Sequence, residues 1–120
     1  MALHLHSITF DAADPEALAR FWADVTGYSG TTANEYVAIL SGDGSVGPGL
    51  MFIRVPEHKT AKNRMHVDLG TPDLEAETER VLGLGAELVG RYDEYGTTWA
   101  TFRDPEGNEF CIGLHDAPQR

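Results

Sequence analysis

The chain presents one pattern of residues twice, and that repetition limits the folds open to it more than any other feature. The first half begins with Leu5-His6-Ser7-Ile8-Thr9-Phe10 and the second with Met65-His66-Val67-Asp68-Leu69. Each is a short alternating run of the kind that forms a half-buried strand. A helix start follows in both places, Asp14-Pro15-Glu16 and then Thr71-Pro72-Asp73. A capping side chain, a proline at the first helical position and an acid in the first turn suit the free N–H groups and the dipole there.

Apolar residues at helical spacing continue the pattern. Leu18, Phe21, Trp22 and Val25 make the first stripe; Leu74, Val81 and Leu82 make the second, with Thr78 filling it less well. Gly27 and Gly85 stand where a left-handed residue would end each helix. Three strand-like pieces follow each helix, at 29–32, 35–40 and 50–55, then at 87–91, 97–103 and 109–114. Turn chemistry separates them: Ser41-Gly42-Asp43-Gly44 reads as a loop, and Asp104-Pro105-Glu106-Gly107 fits a type I turn. Tyr92, Tyr95 and Gly96 suit either a mobile loop over a cavity mouth or a simple hairpin turn.

The expected fold is therefore α+β: two βαβββ modules forming a curved mixed sheet around a cavity, with the helices on the outer face. All 120 residues form one domain in this reading, with module 1 at about 3–55, a polar linker at 56–63 and module 2 at about 64–114. A ferredoxin-like βαββαβ order leaves strand pieces over in each half. A Rossmann-type sheet would need a glycine-rich loop where Ala12-Ala13-Asp14-Pro15 stands.

Charge and composition narrow the partners. With 19 acidic and 9 basic residues the net charge is -10, and no cluster of Lys and Arg is present to hold a phosphate backbone, so nucleic acid is excluded. No apolar run approaches the roughly 18 residues of a membrane span. The opening residues lack a basic region followed by an apolar stretch, so no secretory signal is expected. Cys111 is the single cysteine and cannot form an internal disulfide, which suits a reducing cytoplasm. The acidity favours solubility, and it would also suit a cationic ligand.

Three segments in order carry a family resemblance. They are Ile8-Thr9-Phe10-Asp11-Ala12-Ala13-Asp14-Pro15, the run at 55–64, and Asp104-Pro105-Glu106-Gly107-Asn108-Glu109-Phe110-Cys111. Together they resemble glyoxalase-like members of the vicinal-oxygen-chelate superfamily, which includes bleomycin-resistance proteins and dioxygenases. The resemblance implies paired βαβββ modules around a cavity, and commonly a homodimer. In metal-dependent relatives each module gives two ligands to a divalent ion, one from its first strand and one, usually Glu, from its last.

Carried over residue by residue, the resemblance places His6 and His66 at the first-strand positions, where imidazole suits Zn, Ni or Fe. The last-strand position of module 2 is Cys111, and its counterpart in module 1 falls within Leu50-Met51-Phe52-Ile53, none of them a carboxylate. The standard four-ligand site is therefore expected to be absent. Glu109 shares a strand face with Cys111 and could substitute, and His6, His66 and Cys111 could together hold zinc. Without metal, a histidine on such a strand is hydrogen-bonded lining and a buried cysteine is a small hydrophobe.

The expected pocket comprises His6, Phe52, His66, Asp68, Trp99, Glu109 and Cys111. Asp68 could orient His66 or bind a basic ligand, or pair with Arg64 instead. Trp99 offers an aromatic wall, whereas Trp22 belongs to the core. Three readings follow: a protein that binds a cationic or aromatic small molecule without metal; a metal-dependent lyase, isomerase or dioxygenase using His6 and His66 with Zn, Ni, Fe or Mn; and a metal-free acid–base enzyme in which His6 or His66 moves a proton.

Overall fold

The computed structural model describes residues 5–42, 47–94 and 96–115. The element order is β1 (Ser7–Ala12), α1 (Pro15–Thr26), β2 (Ser29–Ala33), β3 (Val37–Ser41), β4 (Gly49–Arg54), then β5 (Val67–Thr71), α2 (Leu74–Leu84), β6 (Glu87–Glu94), β7 (Thr97–Arg103) and β8 (Glu109–Leu114). The order βαβββ thus occurs twice, as the repeat requires. The chain divides into two compact units, Met1–His58 and Lys59–Arg120.

Each unit has one four-stranded mixed sheet, ordered β1-β4-β3-β2 in the first and β5-β8-β7-β6 in the second. The first and last strands of each unit pair in parallel, and the remaining pairs are antiparallel. A parallel partner must be reached by a crossover rather than a hairpin, and the helix provides that crossover.

The helix ends follow from their sequence. Asp14 caps α1 by accepting the Ala17 N–H at 3.2 Å, with Pro15 in the first turn. In α2 the cap is Asp73, which accepts the Ala76 N–H at 3.1 Å, and Pro72 lies just outside the helix. The expected Thr71 cap is thus corrected: Thr71, two residues before the cap, accepts the Asp73 N–H with its hydroxyl instead. Gly27 (φ 77°) and Gly85 (φ 113°) end the helices in the left-handed region, where a side chain would strain the backbone.

One face of each sheet packs on its helix. In the first unit Leu18 and Trp22 of α1 are fully buried, as is Phe52 of β4. Phe10 stacks on Phe52 at 5.1 Å and tilts against Trp22 at 5.4 Å. In the second unit Ala100, Phe102, Phe110 and Ile112 meet Leu74, Thr78 and Val81 of α2 on the buried side. Burying each large apolar side chain contributes about 1.5–3 kcal/mol. Alternate residues of the same strands point to the other face, and that period of two sets the site.

Two expectations meet the coordinates differently. The strip around Tyr92 is strand, because β6 runs to Glu94 and pairs with Thr97 across a tight hairpin. His6 and His66 lie one residue ahead of β1 and β5 rather than inside them. Asp43 and Gly44 of the expected loop, together with Tyr95, lie outside the described residues. Among the described residues no helix is long and apolar enough to cross a membrane.

Candidate functional site

The open face of the second sheet carries a pocket of about 1060 Å³ whose lining comes wholly from that unit. Register across the strands arranges its side chains in rungs. One rung runs Gly70, Gly113, Trp99, Tyr92; the next runs Asp68, Cys111, Thr101, Gly90. A third places Glu109 opposite Arg103.

The first rung is an aromatic wall. Tyr92 and Trp99 stack with ring centroids 5.2 Å apart and 23° between planes. Beyond them the His115 ring lies over Gly70 and Gly113, and its backbone N–H reaches the Thr71 carbonyl at 2.7 Å. The second rung is polar. His66 Nδ1 and Asp68 Oδ1 share a hydrogen bond at 3.1 Å, in which the carboxylate accepts. Cys111 Sγ and Thr101 Oγ1 share a hydrogen bond at 3.3 Å. Burial, and next the Asp68 carboxylate, push the Cys111 thiol above its ordinary pKa, although the Thr101 contact opposes them.

The third rung holds the pocket edge. Glu109 accepts the Asn63 N–H at 2.9 Å and Lys59 Nζ at 3.2 Å, and its backbone carbonyl accepts Asn63 Nδ2 at 3.3 Å. Residues read from sequence as linker are thus fastened over the start of β8, where Lys59, Thr60, Ala61 and Lys62 line the pocket. The turn before β8 is set by Asp104, which is buried and accepts the N–H groups of Glu106 and Asn108, both at 2.9 Å. That turn places Glu109 and Cys111 on the open face.

The sequence-expected residues divide between the units. His66, Asp68, Trp99, Glu109 and Cys111 come together in the second unit's pocket. His6 is in the first unit, exposed, with Nδ1 3.4 Å from Ser7 Oγ. Phe52 requires a correction. It is wholly buried beneath α1 in the first unit's core, because it shares strand parity with Leu50 and so faces the helix. Sequence reasoning passed over Thr101 and His115. The signal for Thr101 was its parity with Trp99 on one strand; nothing in the sequence marked His115.

The donor set decides how the ion used by metal-dependent relatives would fit. The strand position where those relatives carry Glu is the thiol of Cys111, and Glu109 is already engaged by Lys59 and Asn63. β4 of the first unit, Gly49–Arg54, contains no carboxylate. A four-ligand, carboxylate-rich site therefore does not fit these residues. His66, Asp68 and Cys111 do converge, with one donor atom from each lying within 4.8 Å of the others.

Two βαβββ modules of identical strand order, one bearing a pocket on its open sheet face, define the α+β class of the protein. The chain belongs to the glyoxalase-like domain family, whose model matches residues 7–113, and so to the vicinal-oxygen-chelate superfamily. No protein of curated function matches its sequence. Solved structures reproduce the fold at low identity. A glyoxalase/bleomycin resistance protein/dioxygenase family enzyme from Burkholderia phytofirmans is 17% identical over 92% of this chain and 98% of its own, with a TM-score of 0.77. A hypothetical protein from S. aureus is 16% identical over 96% and 95%, with a TM-score of 0.76. A fosfomycin resistance protein from Listeria monocytogenes, solved with Mn(II) and a dihydroxypropylphosphonic acid, is 12% identical over 97% and 92%, with a TM-score of 0.78.

Proposed function

We propose that the chain binds an aromatic or cationic small molecule on the open face of the second sheet, without the four-ligand metal site of its metal-dependent relatives. One observation carries this reading: a stacked Tyr92–Trp99 wall stands beside a polar rung of Asp68, Thr101 and Cys111. A flat ring laid on Trp99 gains stacking contact, and a cation there gains about 0.5–2 kcal/mol from the ring face. Asp68 and Glu94, both on the lining, offer acceptors to N–H groups of the ligand. In this reading the protein works in the cytoplasm as a homodimer, as the family resemblance implies.

Fluorescence tests the proposal, because the chain has two tryptophans in opposite environments. Trp22 is fully buried in the first unit, whereas Trp99 faces the pocket. Titration with a library of planar amines and neutral aromatics is expected to quench or shift Trp99 emission, and Trp99→Phe should remove that response. For a ligand found this way, Trp99→Ala should weaken binding by about tenfold, matching one stacking contact of about 1–1.5 kcal/mol. Ligands that bind calorimetrically yet leave Trp99 emission and Trp99→Ala affinity unchanged would place the binding elsewhere.

A metal-dependent lyase, isomerase or dioxygenase is the second reading, favoured by the convergence of His66 with Asp68 and Cys111. The His66–Asp68 pair would equally serve metal-free proton transfer, since a carboxylate accepting one ring N–H fixes the other nitrogen as the acceptor.

A further inference from the structure

We infer that Gly70 and Gly113 form the seat for the ligand's flat ring, and that His115, whose imidazole now lies across that seat, is the specificity-determining residue a ring must displace. Given the binding reading above, on which this assignment rests, the ring's position follows from which face of Trp99 is open. Tyr92 stacks on one face, with 23° between planes. A ring laid on Trp99 must therefore use the other face, which looks away from β6 and across to β8. The register puts Gly113 directly beside Trp99 there, and Gly70 directly beyond Gly113 on β5. Two glycines side by side leave the sheet bare of side chains over two strands, which run about 4.8 Å apart.

Glycine inside a strand weakens it and marks a place where another group comes close to the backbone. Here that group is the His115 ring. A Cβ on Gly113 would stand 3.0 Å from His115 Nε2 and 3.3 Å from Cδ2, and one on Gly70 would stand 3.2 Å from Cδ2. Neither glycine has a positive φ, so it is the space above them, not the backbone, that calls for glycine. The His115 N–H donates to the Thr71 carbonyl at 2.7 Å, which pins the main chain at the end of β8. The residue is exposed, so a turn about χ1 swings the imidazole off the glycines without moving the strand. A plug of this kind lowers apparent affinity by the fraction of time the seat is open; a seat open one-tenth of the time weakens ring binding about tenfold. Ligands that bypass the seat escape this penalty, so His115 sorts ligands by whether their ring contact outweighs its removal.

The test is calorimetric titration of the full chain with the N-methylquinolinium cation, a flat bicyclic ring bearing one positive charge. His115→Ala should tighten its binding about three- to tenfold, because the seat is then always open. Gly113→Val fills the seat with a side chain that suits a strand, and should weaken binding about tenfold or more, alone or combined with His115→Ala. Far-ultraviolet circular dichroism verifies that the variants fold. Equal or weaker binding in His115→Ala would overturn the plug and leave the binding reading standing, and full affinity in Gly113→Val would overturn the seat in the same way. Binding by neither the unmodified chain nor His115→Ala would overturn the seat and the binding reading together. Should Gly113→Val fail to fold, the comparison of His115→Ala with the unmodified chain decides alone.

Discussion

Glu109 shows how one residue can be chemically promising in sequence and occupied in the fold. It shares a strand face with Cys111, yet its carboxylate is spent on the Asn63 N–H and on Lys59, and its side chain is one-tenth exposed. Burial by itself would raise its pKa. The Asn63 N–H and the Lys59 ammonium together outweigh burial and hold it below the usual 4.5. Because the folded value lies below the unfolded one, the ionised carboxylate stabilises the native state above the unfolded value, and this contribution disappears as pH falls through the folded one. Glu109→Gln is therefore expected to cost about 1–3 kcal/mol at neutral pH and to lose less than the unmodified chain on acidification below 4.5. Urea denaturation at neutral and acidic pH checks this; parallel pH slopes for the two proteins would show that the strap at 59–63 does not depend on the charge.

At the scale of elements, the two helices were readable but not equally well made. Thr78 sits on the buried stripe of α2, 1% exposed, and its hydroxyl has no hydrogen-bond partner. A buried hydroxyl without a partner costs about 1–3 kcal/mol, and valine has nearly the same shape. Thr78→Val is expected to stabilise the protein by about 1 kcal/mol, raising the urea midpoint at unchanged slope. A lower midpoint would mean that the hydroxyl has a partner such as an ordered water. The helices, their glycine ends and the eight strands of the repeat were legible because caps, 3.6-residue stripes and turn residues act locally. What escaped was decided across strands. Phe52 looked like pocket lining until its pairing with Ala38 and Phe10 put it on the helix side. The stacking of Tyr92 on Trp99 depends on a register that includes a bulge between Leu88 and Gly90, which no local signal announces. Asp104 read as a turn residue, but its four-way anchoring of Glu106 and Asn108 required the fold.

At the scale of the whole molecule, the acidity that suggested a cationic ligand is not concentrated at the site. Among the described residues the pocket is lined by Asp68, Glu94, Glu106 and Glu109 against Lys59, Lys62 and Arg103, a near balance in a chain of net charge -10. The excess lies elsewhere, so it acts as a diffuse field that repels itself and attracts cations from a distance. Such a field weakens when the Debye length contracts to about 8 Å at physiological ionic strength. Two consequences separate by salt. Relief of self-repulsion should raise the unfolding temperature by a few degrees between low and physiological salt, the shift about 1 kcal/mol produces in a domain of this size. A neutral aromatic ligand, held by the Trp99 wall, should keep its affinity within about twofold over the same range, while a cationic one should associate more slowly as the field is screened. Calorimetry and stopped-flow fluorescence of Trp99 measure the two effects. Equal salt sensitivity for neutral and cationic ligands would mean that binding reorganises the charged lining itself, most directly the Lys59–Glu109 pair at the pocket edge.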